Sequence, residues 1–242
     1  TVIRIEGGVL NDIRDTAAVP GTSVAIKNLF FNTPARRKFM KSSTAEYRRV
    51  LEIMKRFTLA KPDIAFTLVN EGEVIYELLP EPLEQRIVNV MGRRNQGHLI
   101  RIEDIDGLVK VTGYVGDWQL FRRSRGQQYL FLNQRYILNR SLNYALTAAY
   151  GPTLPAGQYP MFVVFLELDP AQVDVNVHPT KIEVKFAEER AIYSILHGAA
   201  KRALASDAVI PVNPGASGKR PAEPESMDVT GQDYLNFSPA NS

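Results

Sequence analysis

The sequence predicts an α+β fold, in which helices are combined with antiparallel strands. Apolar residues recur with a helical period between Ser43 and Pro62, and they alternate on both sides of a turn at 70–73. The run Met161–Leu168 is almost continuously apolar, as in a strand buried on both faces. At 242 residues, with 45% hydrophobic and 23% charged, the chain has the composition of a globular protein with one large or two modest domains.

The first predicted elements are strands. The opening TVIRIEGG alternates in polarity, which is typical of a strand. Gly21 and Thr22 precede a second predicted strand, and the loop 32–34, Asn-Thr-Pro, ends that strand.

A helix is predicted from a capping box formed by Ser43 and Glu46 up to the stop at Pro62. Its predicted buried stripe consists of Tyr47, Val50, Leu51, Met54 and Phe57. The opposite face carries Arg48, Arg49, Glu52, Lys55 and Arg56. The helix is therefore expected to bury one stripe and to present positive charge on the other.

The best internal boundary is Pro80-Glu81-Pro82, which follows a predicted hairpin at 64–78. The elements predicted beyond it are a short helix ending at Gly92, strands near 99–103, 108–116 and 128–133, a helix at 141–150, the strand 161–168, an irregular run at 169–181, a strand at 182–186 and a helix at 188–204. The rest is rich in proline and glycine, which is typical of a disordered linker. We therefore predict domains at 1–80 and 81–205 and a linker at 206–242.

Charge is distributed unevenly along the chain. Residues 206–242 hold two basic and five acidic residues, whereas residues 1–205 hold 27 basic and 21 acidic ones and so carry a net charge of +6. The 49 residues between Asp117 and Glu167 contain no acid but five arginines. Such a concentration favours a polyanionic partner, although a solvated surface has the same composition.

Composition excludes several classes. With no cysteine and with histidines only at 98, 178 and 197, a disulfide scaffold, a thiolate metal site and a histidine metal centre are not expected. No stretch is apolar enough to span a membrane, and no signal peptide is visible. Because the chain begins with Thr1, we expect it to be a fragment of a longer protein. The absence of cysteine is compatible with a bacterial cytoplasmic protein, which is the expected location.

Few residues suggest chemistry by themselves. Gly21 and Thr22 offer an open backbone and a hydroxyl, which suit a phosphate, although Gly-Thr is also typical of a plain turn. Lys181 follows Pro179, so a stiff loop presents its ammonium, which suits a phosphate, although the spacing by itself is more typical of an ordinary surface lysine. His178 has no nucleophile nearby in the sequence and is interpreted as structural.

Three segments together resemble the MutL family of DNA mismatch repair proteins. They are GTSVAIKNLFFNTPARRKFMK at 21–41, LFLNQRYILNRSLNYAL at 130–146 and VDVNVHPTKIEVKF at 173–186. They occur in the family's order, and the resemblance extends over about residues 1–204. Three ordered motifs are far more specific than a single glycine-rich match.

The resemblance implies the end of a GHKL-type ATPase domain, with part of its sheet, followed by a transducer domain like domain 2 of ribosomal protein S5. The family's catalytic Glu, metal-binding Asn helix, adenine-binding turn and lid all precede the motif at Gly21. We therefore expect no catalytic residue, no metal site and no ATP turnover in this chain, while the longer parent would use ATP and Mg²⁺.

The resemblance also assigns roles to individual positions. Lys181 would reach the γ-phosphate of ATP, and Gly21 and Thr22 would border the nucleotide. Arg140 would lie in a DNA-binding groove. Arg135, Arg36 and Arg37 would also contribute to that groove. The implied partners are DNA, a MutS-type mismatch recognition protein and a second copy of the parent.

Two other functions compete with this interpretation. One is the ATPase and transducer subunit of a type II topoisomerase, which the runs Asn-Thr-Pro-Ala-Arg and Val-Asp-Val-Asn-Val-His-Pro disfavour. The other is a nucleic-acid-binding module without nucleotide chemistry, which explains the basic charge but not the rigid loop that carries Lys181.

Overall fold

The computed structural model of the protein describes residues 1–105, 107–174 and 182–206. Contacts within the chain divide it into two compact units, Thr1–Ile53 and a unit that begins at Met54. Both contain helices and antiparallel strands, so the α+β prediction is confirmed. The predicted boundary at residue 80 lies between the last hairpin strand and the following helix, and it stays a prediction.

The first unit contains two strands, a short helix and most of a long one. These elements are β1 (Val2–Glu6), β2 (Val9–Arg14), α1 (Pro34–Lys38) and the start of α2 (Ser43–Ala60). Strands β1 and β2 form an antiparallel hairpin about Gly7 and Gly8, which both have positive φ. The predicted N-terminal strand is confirmed, and β2 is an addition to the prediction.

The predicted strand after Gly21-Thr22 is wrong. Residues 22–33 form irregular backbone and turns, and the side chains of Val24 and Ile26 are exposed. A strand needs a neighbour whose backbone groups pair with its own. Among the residues that the structure describes, β1 and β2 pair only with each other. The proline of the predicted loop 32–34 instead occupies the first turn of α1.

Helix α2 is confirmed at Ser43–Ala60, but two details of the prediction are wrong. The N-cap lies one residue earlier, at Ser42, whose Oγ accepts from the N–H of Ala45 (3.3 Å), and Glu46 accepts from the N–H of Lys41 (3.0 Å) instead of completing a capping box with Ser43. The predicted stripe is only partly buried, because Val50 and Phe57 are 46% and 59% exposed while Tyr47, Leu51 and Met54 are half-buried. Only the last turn enters a core, through Thr58 and Leu59.

The second unit is built on a five-stranded sheet. Its elements are β3 (Phe66–Asn70), β4 (Glu73–Leu78), α3 (Leu83–Met91), β5 (Leu99–Ile105), β6 (Lys110–Gly116), β7 (Gln128–Leu132), β8 (Arg135–Ile137), α4 (Arg140–Ala148), β9 (Phe162–Glu167), β10 (Val173–Asp174), β11 (Lys185–Phe186) and α5 (Glu189–Ser206). The sheet order is β5-β6-β9-β7-β8, and only β7 and β9 are parallel. A parallel pair needs a crossover, which here contains α4.

Most elements predicted for this unit are confirmed. The hairpin turns at Glu71 and Gly72, both with positive φ, and α3 ends at Gly92 as predicted. Strand β8 was not predicted, and the predicted strand at 182–186 shortens to Lys185–Phe186. The part of the irregular run at 175–181 and the linker beyond residue 206 lie outside the described residues.

The central strand β9 packs on both faces, as its apolar run predicts. Phe162, Val164 and Leu166 face a core formed with α4 and α5, whereas Val163 faces α3 and the end of α2. All four side chains are completely buried. Helices therefore cover both sides of the sheet.

Strand β6 approaches β9 unusually closely at Gly113. A Cβ atom on Gly113 would lie 2.2 Å from the carbonyl oxygen of Val163, and the φ of Gly113 is +131°. Only glycine accommodates both the contact and the backbone angle. This close approach fixes β6 against the central strand.

A buried arginine joins α3 to the segments before it. Arg86 is completely buried, and its Nε donates to Glu81 Oε1 at 2.6 Å. Its guanidinium also donates to the carbonyl oxygens of Thr58, Pro62, Ile64 and Leu79. One side chain thus satisfies acceptors from α2, the 61–64 turn and the end of β4.

Candidate nucleic-acid interface

Two of the predicted DNA-binding arginines lie on consecutive elements of the second unit. The β7–β8 turn places Asn133 and Gln134 at positive φ, and Arg135 begins the short strand that follows. Arg140 is the first residue of α4, where Asn139 caps the helix by accepting from the N–H of Leu142 (2.9 Å). Arg135 and Arg140 are both exposed.

The other two predicted DNA-binding residues, Arg36 and Arg37, belong to α1 in the first unit. This five-residue helix buries none of its side chains, so both guanidinium groups are exposed. Within 1–105, 107–174 and 182–206, no ion pair involves Arg36, Arg37, Arg135 or Arg140. Each is therefore available to an external anion.

The predicted nucleotide contacts are described only in part. Gly21 has a φ of +145°, and nothing lies within 4 Å of the position that a Cβ would take, so its backbone is open. The neighbouring Thr22 is exposed, which leaves its hydroxyl accessible. Open backbone and a hydroxyl fit a phosphate chemically. Lys181 and His178 lie outside the described residues.

A second basic surface, the arginine loop, consists of Arg122, Arg123 and Arg125 together with Arg94. The backbone of Arg122 pairs with Tyr159, and the guanidinium of Arg125 lies 4.7 Å from the centre of the Tyr159 ring. Burial lowers the pKa of Arg122, and the positive charge of Arg94 lowers it further. Clustered cations raise the local potential and attract anions.

The Nη2 atom of Arg122 reinforces this interpretation. It is buried and has no hydrogen-bond partner among the described residues. A buried donor on a charged group is costly to leave unpaired. The sequence indicated the charge of this loop through its lack of acids, but it did not indicate the contribution of Arg94.

Sequence reasoning missed the surface that α4 and α5 form beside Arg140. The Tyr144 ring stacks on that of Tyr193 with centroids 6.5 Å apart, and Tyr193 stacks on His197 at 6.3 Å. Asn139 Nδ2 donates to Glu189 at 3.4 Å, which joins the starts of the two helices. We call this surface, which also includes Arg190, the α4–α5 face. The four-residue spacing from Arg140 to Tyr144 and from Tyr193 to His197 was the signal in the sequence.

Other kinds of site find no support in the described part of the chain. Within it, no three His, Cys, Asp or Glu side chains are grouped so that they could hold a metal ion. No helix formed by these residues has the length and apolarity needed to cross a membrane.

Comparison with known proteins agrees with the fold. The family described as "DNA mismatch repair protein, C-terminal domain" matches residues 87–205. The MutL protein of Christiangramia forsetii is 38% identical over 213 residues, which are 88% of this chain and 34% of that protein. The MutL protein of Porphyromonas gingivalis is 36% identical over 211 residues, with 87% and 34% covered. The chain thus spans about a third of the length of these curated relatives.

Solved structures show the same architecture. The Aquifex aeolicus MutL ATPase domain complexed with ADP is 26% identical, with a TM-score of 0.53 and coverage of 80% of this chain and 65% of that one. The N-terminal domain of a DNA repair protein, at 21% identity and a TM-score of 0.60, shares the fold over 74% of this chain and 59% of that one.

The fold is thus one that this chain shares with the ATPase and N-terminal domains of DNA repair proteins. The chain belongs to the MutL family of DNA mismatch repair proteins, of which it represents a fragment. This assignment replaces both the topoisomerase subunit and the plain nucleic-acid-binding module that the sequence left as alternatives.

Proposed function

We propose that the protein of which this chain is part acts in DNA mismatch repair as an ATP-dependent dimerisation clamp. It binds DNA without regard to sequence and couples recognition of a mismatch to the later steps of repair. Family membership and the unpaired arginines of the second unit support this proposal. The proposed partners are DNA, a MutS-type recognition protein and a second copy of the parent, in the cytoplasm.

The observation that carries the DNA-binding part is the exposed Arg140, which no acidic group neutralises among the described residues. Guanidinium groups bind phosphates, and phosphate contacts carry no information about bases. Arg135 follows from the neighbouring strand, and Arg36 and Arg37 offer the same chemistry on the first unit. Binding should therefore be independent of sequence and weakened by salt.

The nucleotide part of the proposal rests on the family and on chemical fit. The Aquifex aeolicus relative was solved with ADP, and the parent of this chain is proposed to bind ATP with Mg²⁺ and to hydrolyse it. Gly21 and Thr22 would border the nucleotide with an open backbone and a hydroxyl, and Lys181 would contact the γ-phosphate. If Lys181 contacts the γ-phosphate only in the closed conformation, ATP binds that conformation more tightly than the open one. Ligand-driven closure requires this difference in affinity.

The DNA-binding proposal is tested by fluorescence anisotropy with duplexes of two unrelated sequences, between about 50 and 200 mM salt. The variants are Arg140→Glu and the control Arg101→Glu, which makes the same change of charge at an exposed arginine of β5 that already pairs with Glu103. We expect Arg140→Glu to weaken both duplexes equally and to reduce the salt slope by about 1, while the control has a smaller effect.

Two results would contradict the proposal. If Arg140→Glu and Arg101→Glu have the same effect, only the net charge matters and Arg140 is not a contact. If the two duplexes differ strongly in affinity, base readout contributes and the clamp interpretation fails.

A further inference from the structure

We propose that the α4–α5 face binds an unpaired nucleobase of single-stranded DNA, with Tyr144 as the stacking platform. This inference rests on the proposed DNA-binding function and extends it to the structure of the DNA that is bound. The argument uses the aromatic rings of the face, the pocket beside them and the cations around them.

The rings form one column across two helices. The Tyr144 and Tyr193 planes are inclined by 30°, and those of Tyr193 and His197 by only 4°. Tyr144 stands at the end of the column and remains 57% exposed. An exposed, oriented aromatic face is what a nucleobase stacks on, and such stacking tolerates any base.

A pocket lies beside the column. It has a volume of about 590 Å³ and is lined by Ser141, Glu189, Arg190, Tyr193 and Ser194. The serine hydroxyls can donate to phosphate oxygens, and Arg190 supplies a charged donor. Glu189 is engaged by the α4 cap residue Asn139. The volume is within the range of small-molecule sites, so it can hold one nucleotide unit.

Cations flank the rings on both helices. Arg140 precedes Tyr144 by four residues, Arg190 precedes Tyr193 by three, and Lys201 follows His197 by four. At these spacings each cation lies one helical turn from its ring. Arg140, Arg190 and Lys201 are all exposed. Single-strand binding surfaces combine a positive track for the backbone with aromatic platforms for the bases, and this face combines both.

The same features disfavour a duplex as the ligand of the rings. In a duplex the faces of each base are covered by its neighbours, so a protein ring reaches a base face only where the base is unstacked. The arginines alone would bind duplex and single strand alike. The rings should therefore distinguish the two.

The test compares an oligothymidine of about 16 nucleotides with a duplex of equal length, using the 242-residue chain. Tyr144→Leu removes the ring and keeps an apolar side chain, and Tyr144→Phe keeps the ring. Phe57→Leu is the matched control, since Phe57 is 59% exposed on α2, outside the face. Urea midpoints measured through Trp118 fluorescence verify that each variant is folded.

We expect Tyr144→Leu to weaken binding of the single strand about tenfold and to leave duplex binding unchanged. Tyr144→Phe and Phe57→Leu should bind like the original chain. With 2-aminopurine in the oligonucleotide, stacking should quench the fluorescence of the bound base, and Tyr144→Leu should lose this quenching.

Three results would overturn the inference. In the first, Tyr144→Leu leaves single-strand affinity unchanged while Arg140→Glu weakens duplex binding, so the proposed function stands and the stacking site fails. In the second, single strand and duplex are weakened equally, which indicates charge or folding. In the third, Tyr144→Leu abolishes self-association without changing DNA affinity, which identifies the face as a protein interface.

Discussion

Replacing Arg86 tests what holds the second unit together. The substitution Arg86→Met keeps the apolar length of the side chain and removes the guanidinium. It leaves Glu81, only 13% exposed, without its cation. It also removes the donor from four backbone carbonyl oxygens, which accept at distances from 2.7 to 3.2 Å.

The magnitude follows from these contacts. Breaking a buried ion pair by removing one partner costs about 3–5 kcal/mol. Of the four carbonyl oxygens, only that of Thr58 accepts a fully buried hydrogen bond, and leaving it unpaired adds about 1 kcal/mol. We therefore expect Arg86→Met to lower the free energy of unfolding by about 5 kcal/mol, a large part of the total of about 5–15 kcal/mol for a typical domain. Arg86→Lys keeps the charge but cannot reach all five acceptors, so its loss should be about half as large.

The assay is urea unfolding followed by fluorescence of Trp118, the only tryptophan of the chain, which reports on the second unit. The double variant Arg86→Met with Glu81→Gln should lose less than the sum of the single losses, because the two groups interact directly. A loss below about 1 kcal/mol for Arg86→Met would refute the reasoning, since an exposed pair already accounts for that much.

Two further predictions concern the same unit. Gly113→Ala should destabilise this unit by about 2–3 kcal/mol in urea unfolding, because the new Cβ meets the carbonyl of Val163. The control Gly126→Ala, with open space around the new Cβ, should leave stability unchanged. Equal effects of the two substitutions would contradict the close approach of β6 to β9. Burial raises the pKa of Tyr150, whose hydroxyl donates to Gly116 at 2.7 Å. The neutral, buried hydroxyl stabilises the fold fully at a pH below about 10, the pKa of tyrosine in the unfolded chain. As the pH rises above that value, the unfolded chain loses the proton first, and the free energy of unfolding falls by about 1.4 kcal/mol per pH unit. Urea midpoints of Tyr150→Phe should therefore decline less steeply in alkali than those of the original chain, and parallel slopes would exclude this contribution.

The sequence predicted the elements whose signals are local. Periodicity identified α2, the β3–β4 hairpin and β9, because each depends on the order of apolar residues along the chain. Gly92 predicted the end of α3, because glycine accepts the positive φ that the chain adopts after the helix. These features need no knowledge of distant partners.

The predictions that were wrong concern features that depend on another segment of the chain. The predicted strand after Gly21 did not form, because strand formation depends on a partner ladder that a local pattern does not show. The stripe of α2 was correct in spacing but wrong in burial at Val50 and Phe57, because burial depends on what lies opposite. Strand β8 was missed, since three residues are too few to show an alternation of apolar and polar side chains.

The candidate site divides in the same way. Sequence motifs alone identified the family and selected Arg140, and charge alone indicated a polyanion, since both depend on residue identity and order. Only the tertiary structure placed Tyr144 of α4 against Tyr193 of α5 and gathered acceptors from three segments around Arg86. These contacts join residues far apart in the chain, so their geometry exists only after the helices have packed on the sheet.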